Sequence, residues 1–181
     1  MVFFGLVFVF SIQTDAMKTL QLLPFILLFL FVVVFSCHKN DIINQNNSAA
    51  QLNKSLMLQL VNEQRTKGCN CDSVYYPPTT TVMWNDQLEA AAATHATDMD
   101  QNNYFSHTGL DGSSAGDRIR RTGYNWTAYG ENIAKGYTTE QEVMAAWVAS
   151  EEHCVNIMNP AFREFGGAKS KLYWVQEFGS R

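Results

Sequence analysis

The chain has 181 residues, with 13 Lys+Arg against 17 Asp+Glu and a formal net charge of −4. That length holds a leader and one domain. A mildly acidic chain without a basic run lacks the broad positive surface that phosphate neutralisation needs, so nucleic acid is excluded as a partner, and no nucleotide-binding Gly-rich loop is present.

Residues Leu20 to Phe35 are apolar apart from Gln21 and Pro24. They follow Lys18 and stop at Ser36-Cys37, which is the pattern of a signal peptide: a basic start, an apolar core and a small residue at the cut. Residues 1–36 are therefore assigned to a leader, and Met17-Lys18 is a natural start for it. Val34-Phe35-Ser36 before Cys37 resembles a bacterial lipoprotein cleavage box, in which Cys37 is acylated and tethers the chain to a membrane. The alternatives are an uncleaved anchor or ordinary secretion with a cut nearby. Each of these routes exports the chain. Residues 37–53 are rich in Asn, Gln and Ser and read as a polar tether, leaving 54–181 as the domain.

The domain opens with Leu56, Met57, Leu60 and Val61 at helical spacing, and Gly68 suits the C-terminal cap. Cys69 to Thr81, with Pro77-Pro78, reads as a loop. Asn85 or Asp86 can cap a second helix, whose stripe is Leu88, Ala91, Ala92, His95 and Met99. His95 reads as a buried, hydrogen-bonded histidine, with a role at a site as the alternative. Ser106 to Ser114 is a Gly-containing loop, and a short helix follows at about Ala115 to Thr122. Its Arg118, Arg120 and Arg121 read as a solvated face.

Tyr124 to Ile133 carries strand character. Thr139 with Glu142 makes a capping box, and one long helix follows with Val143, Ala146, Trp147, Ser150, Cys154, Ile157 and Met158 on one face. Asn159-Pro160 stops it. Strands near Glu164 to Ala168 and Leu172 to Phe178 close the domain. Helices early and strands late indicate an α+β fold.

With Cys37 set apart, Cys69, Cys71 and Cys154 remain, and an exported chain meets oxidising conditions. A bridge from Cys154 to either Cys69 or Cys71 is expected. A bridge within Cys69-Asn70-Cys71 would close a strained small ring. A Cys-x-Cys metal site lacks the further ligands of a tetrahedral shell.

Four stretches in fixed order carry the chemistry: Phe105-Ser106-His107, Gly130-Glu131-Asn132, Trp147 followed six residues later by His153, and Tyr173-Trp174-Val175-Gln176. Together with Leu60-Val61-Asn62-x-x-Arg65 and Trp84-Asn85-x-x-Leu88, they resemble the CAP superfamily (cysteine-rich secretory proteins, antigen 5 and pathogenesis-related class 1 proteins) in its bacterial branch, over about Leu56 to Phe178. The resemblance implies a single-domain α–β–α sandwich with a small central antiparallel sheet.

It also implies a cleft lined by His107 and Glu131. The family's usual second Glu is replaced here by Ser150, and Tyr173 stands where its second His is expected. His153 is then the bacterial-type histidine, with Ser150, Glu151, Tyr173 and Gln176 in support. Glu151 is turned about 100° away from the Ser150 direction on a helix. Glu131 lies in an apolar strand, where a carboxylate must be paired, hydrogen-bonded or metal-bound. His107, Glu131 and His153 form a donor set that suits zinc, with water completing the shell. The alternatives are a hydrogen-bonded polar cluster and a metal-free acid/base site. Ser106 beside His107 does not make a catalytic pair, because no Asp is specified to orient the base.

Three functions are compatible with these features. The first is an exported binding module for an envelope lipid, glycan or protein surface, with Tyr75, Tyr76, Trp126, Tyr129 and Tyr137 as exposed contacts. The second is a hydrolase using His107 or His153 as base beside Glu131. The third is a structural envelope protein.

Overall fold

The computed structural model describes residues 51–181. The leader, Cys37 with its expected acylation and the tether through residue 50 lie outside the described residues. Leu52 and Asn53, assigned above to the tether, belong to the domain. Leu52 packs into the core, and the Asn53 side chain accepts from the Leu56 amide to cap the first helix.

That helix, α1 (Lys54–Lys67), buries Met57, Val61 and Arg65 one turn apart. Arg65 is fully buried and solves a backbone problem. Its Nε donates to the carbonyl of Thr80 at 2.7 Å, Nη1 to those of Ile157 and Asn159 at 2.7 and 3.0 Å, and Nη2 to that of Phe162 at 3.2 Å. One planar fork thus satisfies carbonyls from the Thr80 loop and from the Ile157–Phe162 segment that would otherwise be buried without donors. Burial lowers its pKa to about 10, which still leaves it charged at neutral pH.

The segment expected to be a loop forms a hairpin instead, β1 (Cys69–Cys71) paired antiparallel with β2 (Val74–Tyr76). Asp72 turns it with φ +53, a conformation that Asp tolerates better than most residues. The disulfide joins Cys71 to Cys154 and leaves Cys69 free.

β3 (Met83–Trp84) leads into α2 (Asp86–Gln101), capped by the Asn85 side chain. Helix α3 (Ala115–Arg121) begins with a Ser114/Asp117 capping box. After β4 (Ala128–Lys135), the expected single long helix is two: α4 (Glu140–Val148), started by the Thr139/Glu142 capping box, and α5 (Glu151–Met158). The break falls at Ser150, whose backbone is extended. Its hydroxyl bonds the His153 ring at 2.9 Å, a local side-chain contact that competes with helix continuation. The break re-aims the chain so that Val143, Met144 and Trp147 of α4 and Cys154, Ile157 and Met158 of α5 all reach one core.

β5 (Glu164–Ser170) and β6 (Tyr173–Ser180) complete a four-stranded sheet of order β3-β5-β6-β4. It is antiparallel except at its edge, where the two residues of β3 run parallel to β5. β6 is interior and buried from Tyr173 to Gly179. One sheet face packs Trp174 and Phe178 against α1, α4 and α5, and the other packs Ile133, Ala168 and Val175 against α2. Gly166 allows the second contact, since a Cβ there would sit 2.2 Å from the Glu89 amide nitrogen of α2. This is an α–β–α sandwich of the α+β class. Among the described residues, no helix is long and apolar enough to cross a membrane.

Arg65→Met should therefore lower stability by at least about 3 kcal/mol, because it strands buried carbonyls as well as removing a cation. Urea unfolding measures this. Arg65→Lys should recover little, since an ammonium cannot reproduce the fork.

Candidate functional site

The site is built on strand alternation. Along β4, Glu131 and Ile133 point to the α2 side, while Asn132 and Ala134 point to the α4/α5 side. Asn132 Nδ2 donates to the His153 carbonyl at 3.1 Å and to Gln176 Oε1 at 3.1 Å. Asn156 Nδ2 donates to the Glu131 carbonyl at 3.1 Å and to Asn132 Oδ1 at 3.0 Å. These bonds pin α5 to the strand that carries Glu131.

Glu131 has a side chain only 3% exposed. Its Oε1 accepts from His107 Nδ1 at 2.7 Å, and its Oε2 accepts from Arg118 Nη2 at 2.5 Å. Burial pushes this carboxyl up, but the His107 hydrogen bond and the Arg118 charge outweigh it and hold Glu131 below the usual carboxylate range. Arg118 is not on a solvated face. It is buried, with Nη1 donating to the Ser113 carbonyl at 3.0 Å and Nη2 to that of His107 at 3.1 Å. It therefore fixes the loop that carries His107 as well as the carboxylate that His107 meets. His95 is fully buried. Its Nε2 lies 2.9 Å from the Ser106 carbonyl, which makes Nε2 the donor. The same atom is 3.9 Å from Glu131 Oε2, and burial keeps the ring below the usual histidine range.

A second carboxyl stands beside Glu131. Glu177 of β6 is its direct partner in the β4–β6 register. It is fully buried, and no donor reaches its carboxyl oxygens, so its one polar counterpart is the Glu131 carboxylate, to which a protonated Glu177 can donate. Burial first, and then the negative charge of Glu131, raise its pKa well above the usual range. Two adjacent carboxyls in low dielectric cannot both ionise cheaply. The one facing Arg118 takes the charge and the other keeps the proton.

His107 has a side chain 57% exposed and lines a cleft of about 680 Å³ together with Phe105, Trp147, Ser150, Glu152 and His153. His153 is half-buried. Burial first, and then the positive charge that His107 carries when protonated, push its pKa below the usual histidine range. The structure thus places His107 and Glu131 in contact and brings His153 to the opposite wall of the same cleft. Glu151 does not line it, and the acidic residue that does is Glu152. Tyr173 is buried, with its hydroxyl 3.2 Å from Asn103 Oδ1. Gln176 lies in the core against the sulfurs of Met57 and Met144. Both residues sit outside the cleft.

The zinc set does not fit this geometry. His107 and Glu131 touch, but the donor atoms of His107, Glu131 and His153 do not all lie within 4.8 Å of one another. Both Glu131 oxygens are engaged, one of them by a guanidinium. Among the described residues, Cys69, Cys71 and Cys154 are the one close group of metal-type donors, and two of these are joined in the disulfide. Of the aromatic residues expected to be exposed, Tyr75 and Tyr129 are, while Tyr76, Trp126 and Tyr137 are half-buried.

The two carboxyls predict opposite pH behaviour. Glu131→Gln should cost about 3 kcal/mol near neutral pH by leaving Arg118 buried without its anion. Because the folded-state pKa of Glu131 is depressed, its contribution is present above the unfolded value of 4.5 and lost as pH falls through the lower folded value, so the mutant's deficit should shrink in acid. Glu177 is raised, so the wild type loses stability as pH rises above 4.5. Glu177→Gln should gain on the wild type between pH 4 and 8. Urea unfolding across that range tests both.

With this geometry in place, comparison with known proteins is informative. Residues 58–178 match the cysteine-rich secretory protein (CAP) family. The chain is 38% identical to the uncharacterized protein YkwD of Bacillus subtilis over 96 residues, covering 52% of this chain and 37% of that protein. It is 31% identical to the uncharacterized membrane protein YlbC of the same organism over 98 residues, covering 54% of this chain and 28% of that one. The matched segment thus spans well under half of these relatives. The structure resembles that of an extracellular SCP-domain protein of Bacillus anthracis, with TM-score 0.64 and 27% identity over 71% of this chain and 40% of that one. An outer surface protein of Borrelia burgdorferi shares the fold, with TM-score 0.61 and 23% identity over 70% of this chain and 91% of that one. Sequence match, layer order and strand topology agree: the chain belongs to the CAP family of cysteine-rich secretory proteins.

Proposed function

We propose that this is an exported CAP-domain protein, tethered through acylated Cys37, that binds an envelope or extracellular ligand in the cleft between the His107 loop and α4–α5. One observation carries the reading. The cleft holds about 680 Å³, within the roughly 300–1,000 Å³ typical of ligand pockets. Its walls mix aromatic surface from Phe105, Tyr137 and Trp147 with polar groups from His107, Ser150 and His153. The leader and the lipoprotein-type Ser36-Cys37 junction support export, and the relative from B. anthracis is described as extracellular.

A second reading, metal-free hydrolysis, draws on the His107–Glu131 pair. A carboxylate on Nδ1 orients the ring and leaves Nε2 to take a proton. Against it, the neighbouring Ser106 hydroxyl accepts from the Thr108 amide at 3.0 Å, and among the described residues no serine, threonine or cysteine side chain hydrogen-bonds His107.

Ala146 lines the cleft without contacting Glu131, so Ala146→Trp should fill it and spare the charged cluster. The mature chain is immobilised and exposed to envelope lipids, cell-wall glycans and surface proteins as separate fractions. A defined component of one fraction should be retained by the wild type and lost at least tenfold in the folded Ala146→Trp variant. Equal retention by both, or retention of nothing, would contradict the cleft as a binding site. Turnover of model ester or peptide substrates that disappears in a folded His107→Ala variant would favour hydrolysis instead.

A further inference from the structure

Away from the cleft, three sulfur atoms lie together at the edge of the fold. Cys69 and Cys71 are two residues apart on β1, so their side chains leave the same face of the strand, towards Cys154 on α5. The bridge is Cys71–Cys154. The free Cys69 Sγ lies 3.4 Å from Cys154 Sγ and 4.0 Å from Cys71 Sγ. Cys69 is half-buried, whereas Cys71 and Cys154 are fully buried. β1 has three residues and pairs with β2 alone, so one of its side chains can turn without disturbing the four-stranded sheet.

We propose that Cys69, Cys71 and Cys154 form an intramolecular thiol–disulfide exchange site, in which the bridge to Cys154 moves between Cys71 and Cys69. The Cys69 thiol gives up its proton and turns into line with the bridge, and the thiolate attacks Cys154 Sγ. A Cys69–Cys154 bond forms as the Cys71–Cys154 bond breaks. The electron pair leaves on Cys71 Sγ, which takes up a proton. One thiol and one disulfide remain throughout, so no outside oxidant or reductant is consumed.

Two consequences follow. First, α5, which carries His153 into the cleft, stays tied to the β1–β2 hairpin in either state. Second, the free thiol alternates between a half-buried position at Cys69, open to modification, and a fully buried one at Cys71. Burial raises the Cys69 pKa, so exchange is slow at neutral pH. Its rate should climb about tenfold per pH unit below that pKa, because the thiolate is the attacking species.

The test uses the full chain purified from an oxidising compartment. Samples are shifted from pH 6 to pH 9, withdrawn over time, quenched in acid, unfolded and labelled with N-ethylmaleimide. Fragment-ion mapping separates label on Cys69 from label on Cys71. The expected result is label on both, with a ratio that relaxes after the pH shift at a rate unchanged by tenfold dilution. At pH 9 the ratio should move towards free Cys69, the better-solvated of the two thiols. Cys71→Ser should yield a Cys69–Cys154 bridge. Wild-type label confined to Cys69 at every time and pH would overturn the proposal. So would a fixed mixture that ignores the pH shift, since that would be heterogeneity of oxidation during folding.

Discussion

A carboxylate placed inside a β-sheet sandwich has to be answered by a donor or give up its charge, and much of this domain's site follows from how Glu131 is answered. Arg118 comes from α3 and His107 from the loop between α2 and α3. Both converge on an anion that β4 projects towards α2. Arg118 also holds the carbonyls of Ser113 and His107, so one guanidinium sets the carboxylate, the loop and the imidazole together. Removing the anion would leave a buried cation, and removing the cation would leave the loop without its anchor.

The second carboxyl makes the arrangement asymmetric. Glu177 meets Glu131 across the β4–β6 ladder but has no donor of its own. Charge therefore concentrates on Glu131, which is what orients the His107 ring. The opposite wall of the cleft is set by a different device. The Ser150 hydroxyl is spent on the His153 ring, the helix breaks there, and the amides of Asn132 and Asn156 tie α5 back to β4. The cleft is thus a seam between two sheet faces, with a charged cluster on one and a neutral amide network on the other.

Much of this was legible in the residues. The α2 stripe, the Thr139/Glu142 box, the Asn159-Pro160 stop and the two closing strands follow from local periodicity and capping, which act over one or two turns. Glu131 announced itself as a charge in an apolar strand. Glu177 carries the same signal, one residue after Gln176 in a strand of buried residues, but its meaning appears only when the register sets it opposite Glu131. Arg118 looked like one of three charges on a short polar helix, and only packing separates it from the exposed Arg120 and Arg121. The hairpin in place of a loop depended on Asp72 adopting a positive φ. The helix break depended on a hydroxyl choosing a ring over a cap. Tyr173 and Gln176 were drawn towards the cleft by resemblance, and strand alternation sends Gln176 to the opposite face from Glu131.

The most direct test of this account is the protonation of the two carboxyls, followed by carboxyl-carbon NMR of ¹³C-glutamate-labelled protein through a pH titration, with Glu131→Gln and Glu177→Gln giving the assignments. The account predicts that the Glu131 resonance stays ionised below the ordinary carboxylate range, while that of Glu177 remains protonated well above it. If both carboxyls titrated together near pH 4.5, neither would be held by its surroundings, and the charged cluster would not be what positions His107 in the cleft.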